Sequence, residues 1–210
     1  MIKKNLKVLI VTSLVILLPI LVGVFLWNQL PEQIPSHWNA SGEVDGWSSK
    51  PFAVFGLPLL LLAFQWLCVL GTSADPKKAN HPEKIVHLVL WIIPVLGSVL
   101  SVITYAVALG QEVRMEVVMP VLIGLILAIV GNYLPKCKQN YTIGIKIPWT
   151  LNSEENWNKT HRFAGWLWTI CGLIIVLTGF FGGFWIFLGI VLVMVLAPFI
   201  YSYILHRKGV

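Results

Sequence analysis

The chain has 210 residues, of which 57% are hydrophobic and 11% are charged, and its formal net charge is +6. About a quarter of the residues of a soluble domain are charged, so this composition excludes a soluble globular protein and indicates that lipid covers most of the surface. The positive charge does not indicate nucleic-acid binding, because every Lys and Arg except Lys50 and Arg114 lies in alternate gaps between six apolar runs.

The six apolar runs are each long enough to cross a membrane, since about 20 residues in a helix span the hydrocarbon core. They cover residues 8–28, 52–72, 86–109, 117–134, 164–182 and 184–205. The first run is too long for a secretory signal, so we interpret it as a retained span. Cytoplasmic segments retain Lys and Arg. The sequence therefore predicts an all-α integral membrane protein with six transmembrane helices and with both termini in the cytoplasm.

The first outer loop covers residues 29–50. Pro31 and Pro35 exclude a continuous helix, and the loop is rich in turn-forming residues such as Asn39 and Gly42. Trp38 and Trp47 favour the headgroup level of the membrane. We expect an ordered but irregular cap on the outer face.

His37 is the most suggestive residue of this loop, because Asn39, Glu43 and Asp45 lie close to it in the sequence. Three readings are open: His37 recognises a partner, it contributes to a metal site with oxygen ligands, or it holds the loop in shape through hydrogen bonds. A zinc site needs further His or Cys ligands, and none is near. We therefore predict no bound metal.

The longest gap, residues 135–163, is predicted to be an ordered cytoplasmic loop between the fourth and fifth helices. Alternating Ile residues at 143–147 suggest a short extended segment. Asn152 and Glu155 resemble a helix-capping pair, and Trp157 and His161 fall one helical turn apart. We expect a short amphipathic segment at the membrane surface before the fifth span.

The sequence indicates neither catalysis nor ion-coupled transport. His161 and its charged neighbours could form a catalytic group, but no nucleophile accompanies them at a recognisable spacing. Capping, interfacial anchoring and local ion pairing explain them better, and docking of a cytosolic protein is the other interpretation. The middles of the spans contain no Asp, Glu, Lys or Arg, which argues against an ion-coupled transporter. The Gly179-x-x-x-Gly183 spacing could bring two helices close together, with a tight turn near Gly182 and Gly183. We predict neither enzymatic activity nor a cofactor.

Two segments resemble known families. The outer segment LPEQIPSHWNASGEVDGWSSK resembles the L-P-x-x-I-P-x-H-W-N-x-x-G-x-x-D pattern of a bacterial membrane domain of the DUF1648 type. The inner segment GNYLPKCKQNYTIGIKIPWTLNSEENWNKTHRFAGWLW resembles the core of the SdpI-type immunity proteins. Those proteins carry both parts in this order. The resemblance divides the chain into a DUF1648-like part, 1–85, and an SdpI-like part, 86–210, of one continuous helical bundle.

The resemblance implies a non-enzymatic protein of the bacterial plasma membrane. It would protect the cell against a secreted, membrane-active toxic peptide on the outer face. It could also hold a cytosolic repressor at the membrane, without binding nucleic acid directly. The positions that match the outer motif are His37, Trp38, Asn39, Gly42 and Asp45. The positions that match the cytoplasmic motif are Asn132, Pro135, Asn140, Gly144, Pro148, Trp149, Thr150, Trp157, His161, Arg162 and Gly165.

Two other functions are compatible with the residues. Proline-containing spans would suit a small transporter or flippase for a peptide or a lipid. An enzyme acting at the membrane surface would need His37 or His161. The sequence leaves open which toxin is involved, whether the protein binds it or shields its target, and which oligomer it forms.

Overall fold

The computed structural model describes residues 2–181 and 183–210. This part of the chain contains six helices that are long and apolar enough to cross a membrane, as the sequence predicted. These candidate spans are Lys3–Phe25, Phe52–Ala74, Glu83–Ala108, Met115–Lys136, Glu154–Gly179 and Phe184–Arg207. The side of the membrane on which each terminus lies stays a prediction.

Within the described residues, seven α-helices and two strands make up most of the regular structure. The helices are α1 (Leu6–Phe25), α2 (Leu57–Ala74), α3 (Glu83–Ala108), α4 (Met115–Tyr133), α5 (Pro148–Asn152), α6 (Glu154–Gly179) and α7 (Phe184–Arg207). The strands are β1 (Gln33–Trp38) and β2 (Val44–Ser49). A π-helical turn, Phe52–Gly56, leads into α2.

The loop between α1 and α2 is an antiparallel hairpin, so the expectation of an irregular cap is wrong. Pro35 pairs with Trp47, and the register shifts on both sides of His37. A hairpin of two strands tolerates proline because each strand has an unpaired edge that needs no N–H donor. Asn39 and Gly42 lie in the hairpin loop between the strands, where Gly42 adopts a φ of 81°. The fold is therefore helical with one small sheet added.

Lys50 joins the hairpin to the end of α1. Its ammonium group is buried and donates hydrogen bonds to the carbonyls of Leu30 (3.0 Å) and Trp27 (3.3 Å). It also lies 2.8 Å from a carboxylate oxygen of Glu32 and over the Trp27 ring. A buried cation needs such partners to offset its desolvation. Lys50 therefore fixes the hairpin at the point where the chain returns to α2.

By internal contacts the chain forms two compact units: Met1–Ser73 with His87–Met115, and Ala74–Val86 with Glu116–Val210. The apolar core of the first unit includes Leu30, Ile34, Ala53, Val54 and Tyr105. The predicted division at residues 85 and 86 stays a prediction.

In the second unit, glycines bring α4 and α6 into close contact. A Cβ atom on Gly172 would lie 2.5 Å from the backbone nitrogen of Ala128, and one on Gly131 would lie 2.5 Å from that of Thr169. Small residues let helix backbones approach in membranes. The sequence had suggested a close approach at Gly179 and Gly183; Gly179 does lie near Pro120, whereas Gly182 lies outside the described residues.

The segment before α6 also differs from the prediction. Ile143 lies in a bend, and residues 145–147 belong to neither a helix nor a strand, although Ile147 has an extended backbone. Side chains take up backbone groups here: Asn140 accepts from the N–H of Ile143, and His161 accepts from that of Ile145. Ser153, not Asn152, caps α6, with its hydroxyl accepting from the N–H of Asn156 at 3.1 Å. Trp157 and His161 are fully buried within the continuous helix α6, so they do not form a separate segment on the membrane surface.

Candidate functional site

The outer-motif residues meet in the hairpin. His37 Nδ1 lies 2.5 Å from Asp45 Oδ1, and both side chains are largely exposed. The chain can pair this closely because Gly46 faces His37, where a Cβ would lie 2.8 Å from that of His37. The pair offers one imidazole nitrogen and one carboxylate oxygen to a partner at the surface.

Asn39 shapes the hairpin loop. Its Oδ1 accepts hydrogen bonds from the N–H groups of Ser41 (2.9 Å) and Glu43 (3.0 Å), and its Nδ2 donates to a carboxylate oxygen of Glu43. An Asn side chain that replaces backbone partners in this way stabilises a turn. The loop can therefore be held in shape by its own hydrogen bonds and still present an exposed face to a partner.

A second polar site, here called the loop core, is formed by residues 75–81 and 137–161. At its centre, Asp75 is 2% exposed. Its Oδ1 accepts from the N–H of Lys77 at 2.7 Å, and its Oδ2 accepts from the N–H of Tyr141 at 2.9 Å and the hydroxyl of Thr142 at 2.8 Å. His81 Nε2 lies 3.2 Å from the same Oδ2. One carboxylate therefore joins two loops that are distant in sequence.

The charge state of Asp75 follows from these contacts. Burial by itself would raise the pKa of Asp75, but the hydrogen bonds from Lys77, Thr142 and Tyr141 and the nearby His81 outweigh it. The pKa of this carboxyl group is therefore held below its ordinary value, as expected when several donors stabilise the ionised form. Asp75 is therefore an ionised structural group, because a general acid needs a raised pKa and the pKa of Asp75 is lowered.

Gln139 and Asn140 continue the network. Lys77 Nζ donates to Gln139 Oε1 at 2.5 Å, and Gln139 Nε2 donates to the carbonyls of Thr150 (2.8 Å) and Leu151 (3.0 Å) in α5. Asn140 Oδ1 accepts from the N–H groups of residues 142 and 143, and its Nδ2 donates to the carbonyls of residues 138 and 143. Nearly every turn of this loop is thus held by a side chain.

The aromatic part of the loop core is a stack of Trp157 on His161, with ring centroids 4.0 Å apart. Trp157 Nε1 donates to the carbonyl of Cys137 at 2.7 Å, and His161 Nε2 accepts from the N–H of Ile145 at 2.9 Å. Gly144, at φ 122°, lies against both rings, and a Cβ there would be 2.5 Å from His161 Nε2. These residues hold the loop on α6.

The remaining motif residues lie around this centre. Thr150 is buried and donates to the carbonyl of Ile145, Pro135 lies against Gly165, and Pro148 begins α5. Trp149 contacts α7 through the rings of Phe199 and Tyr203. Asn132 and Arg162 are exposed and do not join the loop core.

The sequence did not point to Asp75, His81 or Gln139 as site residues. Asp75 lies in a short basic loop, where a single acidic residue is expected to be exposed to solvent. No pattern in the neighbouring sequence predicts its contact with residues 141 and 142. Asn156 was also missed, although its amide donates to the carbonyl of Ser202 at 3.0 Å inside the second unit.

The geometry does not resemble a catalytic or metal centre. Thr142 Oγ1 and Asp75 Oδ2 both lie 3.2 Å from the same nitrogen of His81, whereas a nucleophile and an orienting acid use opposite ring nitrogens. Among residues 2–181 and 183–210, no group of three or more His, Cys, Asp or Glu side chains could hold a metal ion.

Six membrane-capable helices, a polar hairpin and a hydrogen-bonded loop core define a multi-pass membrane protein. Residues 136–202 match the SdpI/YfhL protein family, and residues 14–62 match a domain of unknown function, DUF1648. The chain is 30% identical over 195 residues to the immunity protein SdpI of Bacillus subtilis (strain 168), covering 93% of this chain and 90% of the relative. The chain therefore belongs to the SdpI family. No solved structure matches it.

Proposed function

We propose that this chain is an immunity protein that protects a bacterium against a secreted, membrane-active toxic peptide. The likeness to an immunity protein along nearly the whole chain is the observation that carries the proposal. The hairpin is the part proposed to meet the toxin on the outer face. Its backbone is held internally by Asn39 and Lys50, while His37, Asp45 and the ring of Trp47 remain exposed.

The proposal is tested in toxin-sensitive Bacillus subtilis cells that lack their own immunity gene. Expression of the chain should raise survival at least tenfold in the presence of the peptide to which the SdpI relative gives immunity. His37→Ala and Asp45→Ala should each lower survival. Glu155→Ala is the matched control, since Glu155 forms another exposed ion pair, 2.7 Å from Lys159. Unchanged killing with the wild-type protein verified in the membrane would contradict the immunity function.

We also propose that the loop core faces the cytoplasm and presents a surface to a cytosolic repressor when the toxin is present. The ordered, hydrogen-bonded loop supports this, because a docking surface needs a defined shape, and Lys138 and Tyr141 are exposed on it. The candidate repressor is a small DNA-binding regulator encoded by a neighbouring gene, to be identified by sequencing the locus. Its fluorescent fusion should move to the membrane only when toxin is added. A regulator that stays in the cytosol under both conditions would contradict the signalling role.

The transporter reading has less support. The buried charged side chains of the described residues, Lys50 and Asp75, both lie outside the six candidate spans. Vesicles containing the purified protein should therefore move neither labelled toxin nor labelled lipid across the membrane.

A further inference from the structure

We propose that a cavity beneath the hairpin receives one aromatic side chain of the toxic peptide, an inference that rests on the immunity function proposed above. The cavity has a volume of about 190 Å³ and lies among the hairpin, the π-helical turn and α3, all within the first unit.

Two irregularities of the backbone line this cavity. Ser36 is the residue at which the register of the hairpin shifts, between Pro35 and His37. Phe52 and Ala53 belong to the π-helical turn. Bulges in strands redirect side chains, and π-helical turns occur frequently at functional sites. The cavity thus owes its shape to departures from regular structure in two separate elements.

The lining suits a single aromatic ring. Pro35, Ala53 and Tyr105 are buried and form its apolar part, and the exposed Phe52 and Leu57 also border it. An apolar cavity of about 150 Å³ in another protein binds benzene, so the volume here accommodates one ring of that size.

Hydroxyl groups in the lining suit a peptide. Ser36, Ser48, Ser101 and Thr104 border the cavity, and a hydroxyl turned towards it can bond the N–H and C=O groups next to an inserted side chain. An acyl chain offers no such groups.

Charge also favours a peptide over a phospholipid. Glu43 and Asp45 are exposed on the hairpin, whereas the nearby cation Lys50 is buried. An acidic surface repels the anionic headgroups that are common in bacterial membranes, and it attracts a peptide with basic residues.

The cavity is tested directly with N-acetyl-L-phenylalanine amide, a capped aromatic residue, and the full-length protein in lipid nanodiscs. Saturation-transfer NMR should detect binding to the wild-type protein and at least tenfold weaker binding to Ser101→Phe, which fills the cavity from α3. Ser48→Phe fills it from β2 and serves as a second variant should Ser101→Phe fail to fold. Val102→Phe is the matched control, since Val102 adjoins Ser101 but is 61% exposed. Equal binding by the wild-type and filled proteins would overturn the proposal.

The same variants separate this inference from the immunity function. If the wild-type and Val102→Phe proteins protect cells while Ser101→Phe and Ser48→Phe do not, the cavity is part of toxin recognition. If the filled variants protect as well as the wild type, the cavity proposal fails and immunity stands. If the wild type gives no protection, the immunity function itself fails. A phospholipid released by mass spectrometry from the wild type but not from Ser101→Phe would assign the cavity to lipid and overturn the peptide.

Discussion

The Asp75 carboxylate connects two loops that lie 66 residues apart, from Asp75 to Tyr141. We expect Asp75→Asn to destabilise the second unit, because an amide offers one acceptor where the carboxylate accepts from several donors. A buried N–H group left without a partner costs about 1–3 kcal/mol. Limited proteolysis of residues 137–147 and the thermal midpoint in detergent measure the effect. Glu112→Gln, at an exposed carboxylate, is the control and should behave as wild type.

The same residue gives a pH dependence. Because the pKa of Asp75 is lowered in the folded protein, its contribution to stability is present above the ordinary value of 3.8 and is lost as the pH falls through the folded value. The thermal midpoint of the wild type should therefore decrease below about pH 4. The Asp75→Asn protein should lose less stability over that range, and an identical acid limb in both proteins would contradict the assignment.

Gly144 combines a positive φ, which favours glycine, with a close contact. Gly144→Ala should destabilise the loop core, because the methyl group would displace His161 from the N–H of Ile145. Gly110→Ala is a matched control: Gly110 also has a positive φ, 85°, but nothing lies within 4 Å of its Cβ position. Strain of an alanine at a positive φ costs about 1–3 kcal/mol, so an excess loss at Gly144 reports its wider φ of 122° and the collision together. Equal loss of proteolytic resistance in both variants would contradict the contact.

At the level of the elements, the α4–α6 contact depends on glycine. Gly172→Leu should prevent the close approach, because its Cβ would meet the backbone nitrogen of Ala128, which cannot move independently of α4. Overpacking of this kind costs about 1–3 kcal/mol or more. Gly189→Leu on α7 is the control, since its Cβ position is open. Size-exclusion profiles of detergent-solubilised protein should show aggregation for Gly172→Leu alone.

For the whole molecule, sidedness is the expectation on which the proposed function depends. Cys137 cannot report it, because this thiol is buried and its burial raises the pKa to about 11, so little reactive thiolate forms. Exposed positions serve better. In a cysteine-free background, Ser41→Cys should react with a membrane-impermeant thiol reagent in intact cells, and Lys138→Cys only after permeabilisation. The opposite pattern would invert the topology and contradict the assignment of the hairpin to the toxin.

Hydropathy and charge were enough to predict the six spans. A segment crosses the membrane as a helix when it is long enough and apolar enough, and both length and hydrophobicity are local properties of the chain. The pairing of Trp157 with His161 was equally local, since residues one turn apart share a helix face. The prediction of an irregular loop was wrong because proline and turn-forming residues exclude a continuous helix but do not exclude a short hairpin. The expected cap at Asn152 was one residue early.

Composition and residue order by themselves determined that this is a membrane protein with an ordered segment at 29–50 and another at 135–163. Only the tertiary structure decided which residues connect these segments. Asp75 accepts a hydrogen bond from Thr142, Lys50 donates to a carbonyl after α1, and Gly172 packs against Ala128. The reason is physical. Burial in lipid acts on each segment separately and leaves a pattern along the chain, whereas a hydrogen bond between distant loops depends on one atom meeting another and leaves none.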